Sequence, residues 1–66
     1  MKNSLKIERA RMNMTQADLA EKVNVSRQTI IAIESAKYLP STALALKIAH
    51  TFGKAVEELF ELEEDD

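Results

Sequence analysis

Apolar residues recur along this chain at the three- and four-residue spacing of an amphipathic α-helix, in five segments separated by short breaks. No stretch alternates apolar and polar residues over a length that would predict an extended sheet. The first helix is predicted from about Ser4 to Met12, with Leu5, Arg9 and Met12 on one face and Asn13 ending it. The pattern therefore predicts an all-α fold of five helices.

The second and third predicted helices begin with the same local signal. Thr15 can cap the second helix with its hydroxyl, while Asp18 reaches back to the Thr15 backbone as in a capping box. Ser26 can cap the third helix, and Asn24, which tolerates positive φ, ends the second. The connection between the end of the second helix at Asn24 and the Ser26 cap is very short, so the two helices must turn sharply against each other. A helix-turn-helix is therefore predicted over residues 15–35.

The remaining two helices follow a loop over residues 37–40, since Pro40 cannot continue a helix and disfavours one at the preceding residue. Ser41 begins the fourth helix, and Gly53, the single glycine, ends it. The fifth helix is predicted from Val56 to about Phe60. The residues predicted to be buried by the second, third and fourth helices are Leu19, Ala20, Val23, Ile30, Ile33, Ala45, Ile48, Ala49 and Phe52.

Composition narrows the class of protein. The 66 residues fit one small domain, residues 1–66, and the 45% hydrophobic but only 5% aromatic content predicts an aliphatic core of packed helices. Cysteine is absent, which excludes disulfides and thiolate metal sites. No apolar run approaches the ~20 residues that span a bilayer, and the N-terminus does not read as a signal sequence. A soluble, cytoplasmic protein with no membrane partner is expected.

Charge is distributed unevenly along the chain. The net charge of -2 would oppose a nucleic-acid partner if it were spread evenly, because DNA affinity depends on phosphate neutralisation. Residues 57–66, however, contain seven acidic and no basic residues. Residues 1–56 contain nine Lys and Arg residues against four acidic ones, a surplus of five positive charges. The body of the protein is therefore basic.

The third predicted helix has two faces of different chemistry. The side opposite Ile30 and Ile33 carries Gln28, Ile31, Ala32 and Ser35. Arg27 and Gln28 are side chains that read guanine and adenine edges, and the apolar Ile31 and Ala32 suit a thymine methyl group. A solvated face with one exposed isoleucine explains this periodicity equally well. The capped helix and tight turn that come before it favour a major-groove reading face.

These segments together resemble a known family. Thr15-Gln16-Ala17-Asp18-Leu19-Ala20-Glu21-Lys22-Val23, followed by Ser26-Arg27-Gln28-Thr29-Ile30 and Ile33-Glu34, is similar to the phage Cro and repressor (Xre-type) helix-turn-helix family. The resemblance covers nearly the whole chain, including Tyr38-Leu39-Pro40-Ser41. It implies a five-helix lambda-repressor-like domain that binds double-stranded DNA in the major groove, with no catalysis and no cofactor.

The resemblance also implies roles for individual residues. It places Gln16 on a DNA phosphate, and it places a structural ion pair between Arg9 and Glu34, which lie beside the core faces of their helices. The residues implied to meet base edges or flanking phosphates are Arg27, Gln28, Thr29 and Ala32.

The chain departs from the family pattern at two helix ends. Ala36 stands after the recognition helix where the family often has glycine, and because alanine resists positive φ, a differently built loop is expected there. Ala55 stands where a Ser or Thr cap is usual, so the fifth helix is expected to fray.

Other candidate residues are open to two interpretations. Lys37 and Tyr38 could hold a phosphate of the adjoining DNA backbone, or the Tyr38 ring could pack over the edge of the core. His50 stands alone without a second histidine or a cysteine, so no metal site is expected. No nucleophile with a base, paired carboxylates or phosphate-cradling glycine loop is present, so an enzyme is not predicted.

The C-terminal segment has three interpretations. Residues 61–66 could form a solvated acidic extension, or they could compete with DNA for the basic face. Alternatively, Phe60 and Leu62, on either side of Glu61, could form a short extended segment that pairs with the N-terminus.

One recognition helix covers only a few base pairs, so a homodimer on a two-fold operator is expected, with Leu59, Phe60 and Leu62 at its interface. The predicted function is a sequence-specific regulator, a repressor, with no evident small-molecule ligand. A second hypothesis is a protein-interaction module, antitoxin-like or a bridging factor, that docks protein through Ile31 and Ala32.

Overall fold

The computed structural model describes all residues, 1–66, and contains five α-helices and one two-stranded antiparallel sheet. The elements in chain order are β1 (Lys2–Asn3), α1 (Leu5–Arg11), α2 (Gln16–Val23), α3 (Arg27–Glu34), α4 (Thr42–Phe52), α5 (Val56–Leu59) and β2 (Phe60–Glu61). The predicted five-helix fold is confirmed, and the strands are the predicted short pairing of the two termini. None of the helices has the length and apolar character needed to cross a membrane.

A single cluster of twelve buried apolar residues forms the core, and it contains all five residues predicted for α2 and α3. The prediction for α4 was partly wrong, because Leu44 is buried whereas Ala45 and Phe52 are only half-buried. The buried face of α4 centres on Leu44 and Ile48, which lie one helical turn apart. The members of the cluster are Leu5, Met14, Leu19, Ala20, Val23, Ile30, Ile33, Leu44, Ile48, Ala49, Leu59 and Phe60.

The first four helices all end in the same backbone arrangement. A residue with positive φ follows each helix, and its N–H donates to the carbonyl three residues before it, while the next N–H donates five residues back. This is the Schellman motif, which satisfies carbonyls that the helix leaves free. The four residues with positive φ are Asn13, Asn24, Ala36 and Gly53.

Ala36 follows the same rule, so the expectation of a differently built loop was wrong. Its φ is 61°, its N–H donates to the Ile33 carbonyl at 3.0 Å, and the Lys37 N–H donates to the Ala32 carbonyl at 2.9 Å. An L-residue with a Cβ pays about 1–2 kcal/mol in this conformation. The surrounding hydrogen bonds therefore hold a strained residue at the end of α3.

Replacing Ala36 with glycine is expected to raise the free energy of unfolding by about 1 kcal/mol, because glycine adopts φ near 60° without steric cost. Urea denaturation followed by circular dichroism measures this. Gly53→Ala is the matched control and should lose a similar amount, since a Cβ there meets no atom within 4 Å and only the backbone strain counts. Destabilisation by Ala36→Gly would show that the turn is not strained.

The two termini are joined by more than the sheet. Lys2 pairs with Glu61 and Asn3 with Phe60, and the N-terminal amine lies 3.1 Å from an Asp66 carboxylate oxygen and 3.2 Å from one of Glu63. The hydrogen bond to Asp66 raises the pKa of the amine. The pKa of Asp66 is lowered, first by the hydrogen bond from the Glu63 N–H and second by the hydrogen bond from the amine. The acidic segment thus folds back on the N-terminus, where its carboxylates pair with the amine.

The predicted dimer interface needs correction. Leu59 and Phe60 are only 2% and 8% exposed, because the pairing of β2 with β1 turns Phe60 toward the core, and Leu59, at the end of α5, belongs to the same buried cluster. Leu59 therefore stabilises one copy of the fold and offers almost no surface to a second, while Phe60 offers only a small exposed part. Leu62, at 75% exposed, is the one predicted interface residue that lies on the surface.

Candidate nucleic-acid interface

The beginnings of α2 and α3 are fixed by side-chain caps. Thr15 Oγ1 accepts from the Asp18 N–H at 3.0 Å, and Asp18 Oδ2 accepts from the Thr15 N–H at 2.9 Å, which completes the predicted capping box. These hydrogen bonds lower the pKa of Asp18. At α3, Ser26 Oγ accepts from the Thr29 N–H at 3.2 Å. These cap hydrogen bonds therefore fix the conformation of the first turn of each helix.

The orientation of α3 follows from the two faces of its sequence. Ile30 and Ile33 are fully buried in the core, while Arg27, Gln28 and Ile31 on the other side are exposed. Ala32 is half-buried and Ser35 is exposed. The helix therefore presents guanidinium, carboxamide and small apolar groups on one open surface, which is the set of groups that reads base edges in a major groove.

An ion pair anchors the far end of α3. Arg9 Nε donates to Glu34 Oε2 at 2.6 Å and Arg9 Nη2 donates to Glu34 Oε1 at 3.0 Å, in a bidentate arrangement. Arg9 Nη1 also donates to the Met14 carbonyl at 3.0 Å. The two side chains are 13% and 8% exposed. One guanidinium therefore joins α1, the segment that precedes α2, and α3.

The hydrogen bonds continue from this ion pair to the open surface. Gln16 Nε2 donates to Glu34 Oε1 at 3.1 Å, and Gln16 Oε1 accepts from Arg27 Nη2 at 3.4 Å. Gln16, the first residue of α2, is thus held between the buried Glu34 and the exposed Arg27. Two of the residues that the resemblance assigns to DNA, Gln16 and Arg27, therefore lie in contact with each other.

A basic surface cleft adjoins these residues. It lies at the N-terminal end of α2, and Lys6, Arg9 and Arg27 contribute its positive charges. The N–H groups in the first turn of a helix favour an anion, and cations beside them strengthen that preference. From the sequence, Lys6 could hold a DNA phosphate or be a solvated charge, and the second interpretation was favoured. Its place in the cleft could not be found from α1 alone, because α3 supplies the opposite wall.

The remaining candidate residues differ in their exposure to solvent. Lys37 is exposed and Tyr38 is 48% exposed, so the phenol is open to solvent while part of the residue is covered, as either interpretation of Tyr38 requires. Thr29 is half-buried, and its hydroxyl lies 3.0 Å from Ser26 Oγ, where it strengthens the cap. His50 is exposed on α4.

A sequence model of the helix-turn-helix family matches residues 5–59, which run from α1 through α5. The chain belongs to the Xre-type helix-turn-helix family. It is 59% identical over 66 residues to an uncharacterized HTH-type transcriptional regulator of Methanocaldococcus jannaschii, with full coverage of both chains. It is 48% identical, again over the full length of both, to the uncharacterized HTH-type transcriptional regulator YgzD of Bacillus subtilis.

A third relative, an uncharacterized HTH-type transcriptional regulator of Archaeoglobus fulgidus, is 44% identical over all of this chain and 93% of the relative. This helix-turn-helix protein is accordingly a DNA-binding transcriptional regulator and not an enzyme. In a helix-turn-helix, the second helix of the motif is the recognition helix, and in this chain that helix is α3.

Proposed function

We propose that this helix-turn-helix protein is a sequence-specific repressor that binds a palindromic operator as a homodimer in the cytoplasm. The observation that supports this most directly is the hydrogen-bonded support of the reading face. Gln16, which is half-buried, accepts from the Arg27 guanidinium and donates to Glu34, so the exposed guanidinium is linked through Gln16 to the ion pair of Glu34 with Arg9. A side chain that is already ordered loses less entropy when it binds.

The proposed contacts follow from position on α3. Gln28, in the first turn and exposed, is proposed to read an adenine, and Arg27 a guanine or the adjacent phosphate. Ile31 and Ala32 are proposed to meet thymine methyl groups. The residues proposed to contact the DNA backbone are Gln16, Thr29, Lys37 and Tyr38.

A shallow apolar groove is proposed as the dimer interface in place of the buried Leu59. Its exposed members include Leu46, at 56%, and Leu62, at 75%. Phe60 closes its floor. A second copy is the proposed occupant, because a two-fold interface brings the same apolar patch of both copies together and leaves α3 free. The apolar residues that line the groove are Met1, Pro40, Ala45, Leu46, Val56, Phe60 and Leu62.

Repression is the proposed mode of action because it requires only that the protein occupy its site. The reading face and the groove suffice for that, since a dimer seated on an operator excludes other proteins from the same DNA. No further surface has to recruit a partner.

Selection of binding sites from a pool of random DNA duplexes tests this function. The full chain is expected to enrich an inverted repeat whose half-site centres are about 10 base pairs, ~34 Å, apart, because two recognition helices then enter successive major grooves. Analytical ultracentrifugation of the same protein should show a dimer. Failure to enrich any sequence at moderate salt would contradict DNA recognition by this protein.

Leu46→Asp is the matched variant for the interface. A carboxylate in the apolar groove should prevent pairing of two copies, while the exposed position leaves the fold intact by circular dichroism. The variant should sediment as a monomer and enrich at most single half-sites. If it remains a dimer and selects the same inverted repeat, the groove is not the interface.

One observation favours the alternative function. Ile31 is a large apolar side chain exposed in the middle of α3, and such a residue can dock protein as well as thymine. In the alternative, Ile31 and Ala32 hold a partner protein, as in an antitoxin-like or bridging role. The selection experiment separates the two functions, since only the first enriches a sequence.

A further inference from the structure

Asn3 connects the terminal sheet to the end of the recognition helix. Its Nδ2 donates to the Ile33 carbonyl at 2.9 Å, although the two residues are 30 positions apart, and its Oδ1 accepts from the Leu5 N–H at 3.3 Å. The Asn3 side chain is half-buried. None of the contacts proposed for DNA uses this residue.

The acceptor of this hydrogen bond lies in the last turn of α3 and is shared with the strained turn that follows. The Ile33 carbonyl also accepts from the N–H of Ala36, whose φ is 61°. A carbonyl oxygen has two lone pairs, so both are occupied here. Asn3 therefore bonds the same carbonyl oxygen that accepts the hydrogen bond of the turn. Lys37 and Tyr38 follow this turn directly in the chain.

Asn3 is itself held firmly on its other sides. It pairs with Phe60 in the sheet, and the neighbouring Ser4 N–H donates to the Leu59 carbonyl at 3.0 Å. Leu5 and Ile33, which carry the two backbone groups that bond its carboxamide, are fully buried. The carboxamide therefore joins two rigid parts of the molecule and is not a surface hydrogen bond between mobile groups.

We propose that Asn3 is a positioning residue for DNA recognition. Its carboxamide fixes the end of α3 and the following turn against the terminal sheet, so that the reading face and residues 37–38 keep one orientation. This inference rests on the proposed function, because it takes α3 as the DNA-reading helix. Without the Nδ2 donor, the turn samples more conformations. Binding to DNA must then order the turn, and the entropy lost in ordering it reduces the affinity for the specific site.

Two variants remove the donor. Asn3→Asp keeps an oxygen for the Leu5 N–H but offers no donor to Ile33, while Asn3→Ala removes both bonds and adds no charge. Lys2→Ala is the matched control, since Lys2 is an exposed neighbour on β1 that pairs with Glu61 and makes no side-chain bond to α3. All three are made in the full chain, which keeps the sheet and the core.

The test measures binding to the selected operator duplex and to a scrambled duplex of equal length by fluorescence anisotropy. Both Asn3 variants are expected to weaken operator binding about three- to tenfold, the effect of one hydrogen bond, with little change for the Asn3→Ala variant on the scrambled duplex. Lys2→Ala should change both duplexes equally. Amide hydrogen exchange at Lys37, measured by NMR in the absence of DNA, should become faster in the Asn3 variants only.

Ala36→Gly added to Asn3→Ala separates positioning from simple stability. The glycine relieves the strain of the turn, so the melting temperature should recover, whereas the preference for operator over scrambled DNA should not. Recovery of both together would overturn the proposal, as would wild-type operator preference in both Asn3 variants. A wild-type protein without any operator preference would instead overturn the proposed function, and Lys37 exchange would then decide whether Asn3 orders the turn.

Discussion

Glu34→Ala is expected to lower the free energy of unfolding by about 3–5 kcal/mol. The change leaves the guanidinium of Arg9, a side chain that is only 13% exposed, without the acceptors of its Nε and Nη2 groups, and it also removes the acceptor of Gln16 Nε2. A domain of this size has a total stability of about 3–10 kcal/mol. A large fraction of the variant should therefore be unfolded at 37 °C, as urea denaturation followed at 222 nm would show.

The double variant Arg9→Met, Glu34→Met is the control for this prediction. Apolar side chains of similar size leave no charge buried, so the double variant should lie within about 2 kcal/mol of the wild type. The Gln16 amide would still lose its hydrogen-bond acceptor, so the free energy of unfolding should not recover fully. If Glu34→Ala alone costs less than 1 kcal/mol, the ion pair is not the anchor of α3.

Features that depend on a few neighbouring residues could be predicted from the sequence. The caps at Thr15 and Ser26 and the positive φ at Asn24 follow from the chemistry of single side chains, and all three are present. The buried side of α3 follows from helical periodicity. Ala36 shows the limit of such rules, because alanine disfavours positive φ, yet the hydrogen bonds at the end of α3 impose it.

Features that depend on distant parts of the chain could not be predicted. The burial of Phe60 is set by the register of β2 against β1, and a shift by one residue would reverse the inward and outward sides. The contact between Gln16 and Arg27 needs α2, α3 and the buried Glu34 together. The sequence indicated which face of α3 is open, but not what holds that face in place.

The largest effect on DNA binding is expected from the double variant Arg27→Ala, Gln28→Ala. Each side chain that reads a base edge in two hydrogen bonds contributes about 1–3 kcal/mol of discrimination, so operator affinity should fall by at least about thirtyfold. Affinity for scrambled DNA should fall far less, because most of it comes from the other cations of the basic body. Anisotropy titrations with both duplexes at several salt concentrations would measure these changes.

The salt dependence separates the two side chains. If Arg27 lies on a phosphate, as its hydrogen bond to Gln16 favours, Arg27→Ala alone should reduce the slope of log affinity against log salt by about 1, and Gln28→Ala alone should leave it unchanged. Gln28→Ala should instead relax the preference at one base pair of each half-site. Lys47→Ala, an exposed cation on α4, is the control for loss of charge alone. A double variant that kept wild-type affinity and selectivity would mean that α3 does not read DNA, which would favour protein docking at Ile31.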